Sequence, residues 1–258
     1  MLLAIDVGNT NTVIGLLEDG VLRFRWRIAS EAGRTSDEHS ILMRELCSQS
    51  GVDPSDIRGL VVSSVVPTLT DELRRMSEVA FGVEPLVVGP DVDLGITIDY
   101  DDPREVGPDR LANAVAARHL AKGAAIVVDF GTATTIDAVT SDGRYLGGAI
   151  APGLLTSAEN LFRRAALLHR VALVPPERAI GRSTEDALRA GIVFGAAGQV
   201  DEIVGRVRAE LGEECRVLAT GGLAERIALF ARTIDAVEPD LTLLGLSLIH
   251  ARVKTSGD

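Results

Sequence analysis

The 258 residues carry 26 Lys and Arg against 37 Asp and Glu, a formal net charge of −11, with 46% apolar and 24% charged residues. That composition is globular, and the length suits two modest domains or one large one. The acidic balance argues against a nucleic-acid partner, because gripping a phosphate backbone rests on releasing counterions with Lys and Arg.

Asp6 interrupts the first apolar run too early for a signal peptide, and no apolar stretch approaches the ~20 residues of a membrane span, so a cytoplasmic chain with no membrane partner is expected. Cys47 and Cys215 lack CxxC spacing and read as reduced packing thiols. His39, His119, His169 and His250 form no HxH or HxxxH pair, so nothing points to zinc.

Leu2 to Val7 reads as a buried strand, Thr12 to Leu17 as a second, and Glu18-Asp19-Gly20 as the turn into a third. In that third strand Leu22, Phe24, Trp26 and Ile28 alternate with Arg23, Arg25 and Arg27, the period of a sheet with one wet face. A helix opened by Thr35 or Ser36 runs through His39, Leu42, Met43 and Leu46 to Gly51. The strand Gly59 to Val66 and a helix through Leu69, Leu73, Met76 and Ala80 follow.

Five residue pairs share one separation: Asp6 and Asp129, Gly8 and Gly131, Thr12 and Thr135, Asp19 and Asp142, Gly20 and Gly143 each lie 123 residues apart. A strand ending at an acid, turning through Gly and small polar residues and returning as a β-branched strand thus occurs twice. This implies an internally duplicated α/β fold, with domains at 1–118 and 119–258 and the two hairpins facing each other across a cleft. The second half continues with strands at Ala124 to Val128 and Tyr145 to Ile150, a helix from about Gly153, a long small-residue-rich helix after Ser183-Thr184, strand Arg216 to Ala219 and closing helices.

The run Asp6-Val7-Gly8-Asn9-Thr10-Asn11-Thr12 suits a phosphate tail: Gly8 lets the backbone approach, amides form an anion nest, and hydroxyls add donors. Asp6 repels phosphate, so its functional role is to hold Mg²⁺, directly or through water; its bland role is a polar turn. Asp129-Phe130-Gly131-Thr132 repeats the pattern, and Gly221-Gly222 after a strand allows a flat adenosine to approach or simply marks a strand-to-helix turn. Gly107-Pro108-Asp109-Arg110 opens a helix; Asp109 is either its cap or a base that accepts a hydroxyl proton, and Arg110 offers paired donors to a carboxylate or phosphate. Other nucleotide and hydrolase signatures, GxxxxGK[ST], GxGxxG after the first strand, HRD with DFG, and GxSxG, are missing.

The Asp6 to Thr12 run, Arg34-Thr35-Ser36-Asp37-Glu38, Gly107 to Arg110, Asp129 to Thr132, Gly147-Gly148-Ala149-Ile150-Ala151-Pro152-Gly153 and Thr220 to Gly222 together resemble the type III pantothenate kinase family, in the family's order over nearly the whole chain. The resemblance implies two ribonuclease H-like, actin-like ATPase domains, a homodimer, and ATP-dependent phosphorylation of pantothenate to 4′-phosphopantothenate, the first step of coenzyme A synthesis. It also implies Mg²⁺ and a monovalent cation, K⁺ or NH4⁺. By the same resemblance Asp109 is the proton acceptor, Asp129 the K⁺ ligand, Thr132 and the segment from Asp6 to Val13 ATP contacts, and Tyr100, Gly107 to Arg110 and Thr184 the surroundings of pantothenate. On the residues alone, Thr184 also fits a helix-opening cap and Tyr100 a packed loop. Gly191, Gly195 and Gly198 permit close approach of another element, in a dimer or within the chain. Two competing readings remain: another actin-like phosphotransferase, and a nucleotide-binding transcriptional regulator of the Bvg accessory factor type.

Overall fold

Local chemistry fixes most element ends. The computed structural model describes residues 1–164 and 170–257, and His169 lies outside them. The first three strands, β1 (Leu2–Val7), β2 (Asn11–Glu18) and β3 (Val21–Ala29), form a meander. Its second turn is tight because Asp19 and Gly20 both take positive φ, 50° and 78°, as a right-twisted hairpin requires.

Helix α1 (Ser36–Gln49) begins in a capping box: Thr35 accepts from the Glu38 amide, and the Glu38 carboxylate accepts from the Thr35 amide at 2.8 Å. That box accounts structurally for the Arg34 to Glu38 motif. Strand β4 (Gly59–Ser64) leads into α2 (Pro67–Phe81), which has Pro at its first position and the left-handed Gly82 behind it. The short strands β5 (Leu86–Val87) and β6 (Thr97–Ile98), which periodicity did not announce, precede α3 (Pro108–Ala121).

The second half holds β7 (Ala124–Phe130), β8 (Ala133–Val139), β9 (Arg144–Pro152), α4 (Leu154–Arg164), α5 (Thr184–Leu211), β10 (Cys215–Thr220), α6 (Ala224–Ile227), β11 (Ala236–Val237) and α7 (Leu241–Gly257). Among the described residues no helix is long and apolar enough to cross a membrane.

Two compact units result, one of Met1–Ala116 with α7, the other Ala117–Asp240. The sequence reading kept everything from 119 onward in the second half. Helix α7 instead lies with the first unit, because its apolar side chains cover that unit's sheet: Leu243 fills the space over Gly15, and His250 sits where a Cβ on Gly59 would be 2.6 Å from Nε2.

Strands of the first unit are ordered β3-β2-β1-β4-β5, and those of the second β9-β8-β7-β10-β11 in the same sense. In each, the first strand is antiparallel to the second and parallel to the fourth. The repeat inferred from the 123-residue separation is therefore a repeat of topology.

Alternation then assigns the faces. Leu3, Ile5, Val7, Leu60 and Val62 turn toward α1 and α2, joining Met43, Leu69, Leu73 and Met76. Ile126, Val128, Phe130, Val217 and Ala219 turn toward α4, α5 and α6. Burying one such side chain stabilises by roughly 1.5–3 kcal/mol, so each core pins its register firmly. Asp6 and Asp129 fall out of phase with these cores and project from the opposite face of their sheets.

Candidate active site

Two of the motifs sit in hairpin tips. Between the paired residues Val7 and Thr12 lie four residues, Gly8, Asn9, Thr10 and Asn11, closed by Gly8 N–H donating to Asn11 O at 3.1 Å. Asn9, Thr10 and Asn11 are exposed, Gly8, Asp6 and Val13 are half-buried, and Val7 and Thr12 are buried. The Thr12 hydroxyl lies 2.8 Å from that of Ser30, tying the hairpin to the end of β3. The polar groups that this tip presents to solvent are therefore those of Asn9, Thr10 and Asn11.

The second tip is one residue shorter. Only Gly131, Thr132 and Ala133 separate the pair Phe130 and Thr134, and Gly131 N–H donates to Ala133 O at 3.0 Å. By register the counterpart of Thr12 is consequently Thr134, 122 residues on, and not the Thr135 that the constant separation selects. The turn into β9 is longer than that into β3, which restores the separation at Asp142 and Gly143. Thr134 is buried like Thr12, whereas Thr135 is the cross-strand partner of Asp129.

Glycines shape this second tip. A Cβ on Gly221, whose φ is +90°, would overlap the Asp129 carboxylate and the Phe130 backbone. A Cβ on Gly153 would strike the Thr132 carbonyl, and one on Gly148 that of Ile136. Thr156 donates to the same Thr132 carbonyl at 3.0 Å, so the start of α4 braces the exposed Thr132. Gly222 is exposed, with nothing within 4 Å of the place a Cβ would occupy.

The third motif opens α3. Leu111 N–H donates to Gly107 O at 3.2 Å, which makes Pro108 the first helical residue, as its fixed φ favours. The Asp109 carboxylate accepts from the Arg110 amide at 2.9 Å and folds over Gly107, where a Cβ would lie only 2.5 Å from Oδ1. Asp109 is half-buried and Arg110 only 7% exposed. The carboxylate thus sits in the first turn of α3, the end of a helix where the dipole favours negative charge.

Tyr100 is half-buried in the loop after β6, in the first unit with Asp109. Thr184 belongs to the second unit and is exposed at the first position of α5; the cap is Ser183, whose hydroxyl accepts from the Asp186 amide at 3.1 Å. Among the described residues no atom lies within 4 Å of where a Cβ on Gly191, Gly195 or Gly198 would stand, so this stripe of α5 is open.

Sequence reasoning gave no site role to several residues on the faces that carry the acids. Ser63 pairs in parallel with Asp6 and is fully buried, and Thr220 does the same for Asp129 at 3% exposure. Asp137, 2% exposed, follows Thr135 on the same face of β8 and accepts from the buried Tyr145 hydroxyl at 2.7 Å. Period-two alternation in β8 carried the signal, but it is readable only once the turn length is known.

A 3-2-1-4-5 mixed sheet occurring twice, each copy with an acid at the end of its first strand before a glycine turn, defines an actin-like ATPase fold. Over 99% of this chain and 96% of its own, the activator of 2-hydroxyisocaproyl-CoA dehydratase from Clostridium difficile, solved with bound ADPNP, superposes with TM-score 0.60 at 15% identity. A Baf family transcriptional activator from Campylobacter jejuni superposes with TM-score 0.61 at 17% identity, covering 98% of this chain and 99% of that one. These likenesses concern the fold. The sequence profile of type III pantothenate kinases matches residues 2–206, and the type III pantothenate kinase of Moorella thermoacetica is 50% identical over 252 residues, 98% of this chain and 99% of that protein. The chain belongs to the type III pantothenate kinase family.

Proposed function

We propose that the chain carries out this family's reaction, moving the γ-phosphoryl group of ATP to the primary hydroxyl of pantothenate to give 4′-phosphopantothenate, with Asp109 as the proton acceptor. The observation that carries the assignment of the base is the seat of that carboxylate: half-buried at the start of α3, fixed by the Arg110 amide, and folded over a glycine. The acceptor hydroxyl attacks the γ-phosphorus as the bond to the bridging oxygen of ADP breaks, and its proton passes to Asp109. Arg110 supplies planar donors to the acceptor or to the migrating phosphoryl group. Tyr100, Gly107, Pro108 and Thr184 are assigned to pantothenate.

Amides and side chains from Gly8 to Asn11, together with Thr132, hold the phosphates, and Gly222 gives the nucleoside open backbone, while Gly221 lets that turn pack against Asp129 and Phe130. Asp6 and Asp129 fit hard cations: each is a carboxylate with a buried hydroxyl residue, Ser63 or Thr220, beside it in register. Mg²⁺ at Asp6 and K⁺ or NH4⁺ at Asp129 would neutralise charge on the triphosphate when bound. A homodimer is part of the same reading, and the exposed small-residue stripe of α5 offers a face that a second helix can approach closely.

The test is Asp109→Asn in an ADP-release assay with pantothenate. ATP binding should be retained while turnover drops by about 10²-fold or more. Near-normal turnover removes Asp109 as the base, and phosphorylation of hexoses or polyphosphate in place of pantothenate would overturn the acceptor.

A further inference from the structure

Among the described residues two side-chain hydroxyls are buried with no hydrogen-bond partner, Ser63 Oγ and Thr135 Oγ1. A buried hydroxyl almost always finds one, so each such case marks a place where something else completes the bond. Their positions are not scattered. Ser63 is the residue opposite Asp6 on β4, and Thr135 the residue opposite Asp129 on β8. Residues opposite one another project from the same face, so each unpartnered hydroxyl lies beside one of the two duplicated acids.

The surroundings say what the missing partner is. Ser63 is 0% exposed, and its apolar strand neighbours Val61 and Val62 are equally buried. Thr135 stands between Asp129 across the strand pair and Asp137 two residues along its own strand, and Asp137 is itself fixed by Tyr145 at 2.7 Å. A hydroxyl oxygen flanked by carboxylates is a ligand set for a hard cation or for a water in its shell.

We propose that Ser63 and Thr135 are additional oxygen donors to the two cation positions, Ser63 to the hydrated divalent ion at Asp6 and Thr135 to the monovalent ion at Asp129. The proposal rests on the cation roles given to those acids above. Both are positioning residues for the phosphoryl transfer: they fix where each ion stands, and so where charge on the triphosphate is neutralised.

Removing a hydroxyl that no protein group uses costs the cation-free protein nothing, and even relieves it. The test therefore follows melting of the full-length protein with a non-hydrolysable ATP analogue, titrating MgCl2, and separately KCl against choline chloride at fixed ionic strength. Ser63→Ala should melt at or above wild type without Mg²⁺ and require about three- to tenfold more of it for the half-maximal shift, with its K⁺ response intact. Thr135→Val should show the converse, and Thr135→Ser, which keeps the hydroxyl, should restore the K⁺ response. If wild type responds, Asp6→Asn and Asp129→Asn abolish the respective shifts, and a hydroxyl variant matches wild type, that hydroxyl is no ligand while the acids keep their roles. A hydroxyl variant that melts lower without cations and titrates normally has a structural role only, which also overturns the proposal. If wild type shows no Mg²⁺ or K⁺ shift at all, the cation roles of the acids fall first.

Discussion

Gly107→Ala is the most informative single change, because it adds one methyl group at the point where the proposed base is seated. The φ of Gly107 is in the ordinary range, so alanine suits the backbone there, yet its Cβ would stand 2.5 Å from Asp109 Oδ1. Ordinary contact begins near 3.4 Å, so the carboxylate must retreat by about 1 Å and strain its 2.9 Å bond to the Arg110 amide. A misplacement of about 1 Å at a reacting group costs on the order of 10²-fold in turnover, equivalent to about 2.7 kcal/mol of barrier. Because the displaced atom ends a mobile side chain, unfolding free energy should change by no more than about 1 kcal/mol. An ADP-release assay with saturating ATP and pantothenate measures turnover, and a thermal melt measures stability. The double variant with Asp109→Asn adds the decisive arm: if glycine acts through the carboxylate, the pair is no slower than Asp109→Asn alone. Wild-type turnover in Gly107→Ala, or full additivity in the pair, refutes the reasoning.

Asp201 on α5 accepts from the Arg232 amide and guanidinium and from the Thr233 amide and hydroxyl, at 2.8–3.2 Å. Burial pushes its carboxyl up, but the Thr233 and Arg232 bonds outweigh that and hold it below the usual carboxylate range. Its contribution is thus complete above about pH 4 and lost as pH falls through the lowered folded value; Asp201→Ala should cost about 2–4 kcal/mol in urea unfolding at pH 7. Burial, with the Arg34 charge, lowers the pKa of His39, and burial with Lys254 lowers that of His250. Each therefore takes up its proton at lower pH in the fold than in the unfolded chain, so stability should decline as pH falls through about 6.5, and His39→Leu should flatten part of that slope in melts. Gly195→Glu, on the open stripe of α5, should reduce the fraction of the proposed homodimer in light scattering with the circular dichroism spectrum unchanged; an unaltered dimer places the interface elsewhere, and a monomeric wild type removes the proposed dimer.

The fold was legible wherever a local rule decides. Asp19-Gly20 demanded its hairpin turn, Thr35 and Glu38 closed a capping box, and alternation through Leu3, Ile5 and Val7 fixed which face of β1 is covered. Illegible features were those set by distant partners. Nothing in the residues of α7 says that it covers Gly15 and Gly59 of the first unit, since their missing side chains are the signal and they lie some two hundred residues earlier. Strands β5, β6 and β11, two residues each, are too short for any period to register. The candidate site divides the same way: Asp6 and Asp129 stand at strand ends before recognisable turns and Asp109 in the first turn of a helix, whereas Ser63 gains meaning only from the strand beside it.

Turn length explains why the duplicated hairpins are alike in acid and unlike in hydroxyl. With four residues between Val7 and Thr12, the residue facing Asp6 is Val13, and an oxygen beside that acid has to come from the parallel strand, as Ser63. With three between Phe130 and Thr134, the residue facing Asp129 is Thr135, and the return strand itself supplies one. One residue in a turn thus moves an entire strand by a side chain relative to its copy while leaving the apolar alternation on the core face intact, because the pairing shifts in step with the strand. The two acids are equivalent by descent of topology but sit among different donors. The two proposed cations would accordingly take these hydroxyl ligands from different strands, the parallel β4 at Asp6 and the antiparallel β8 at Asp129.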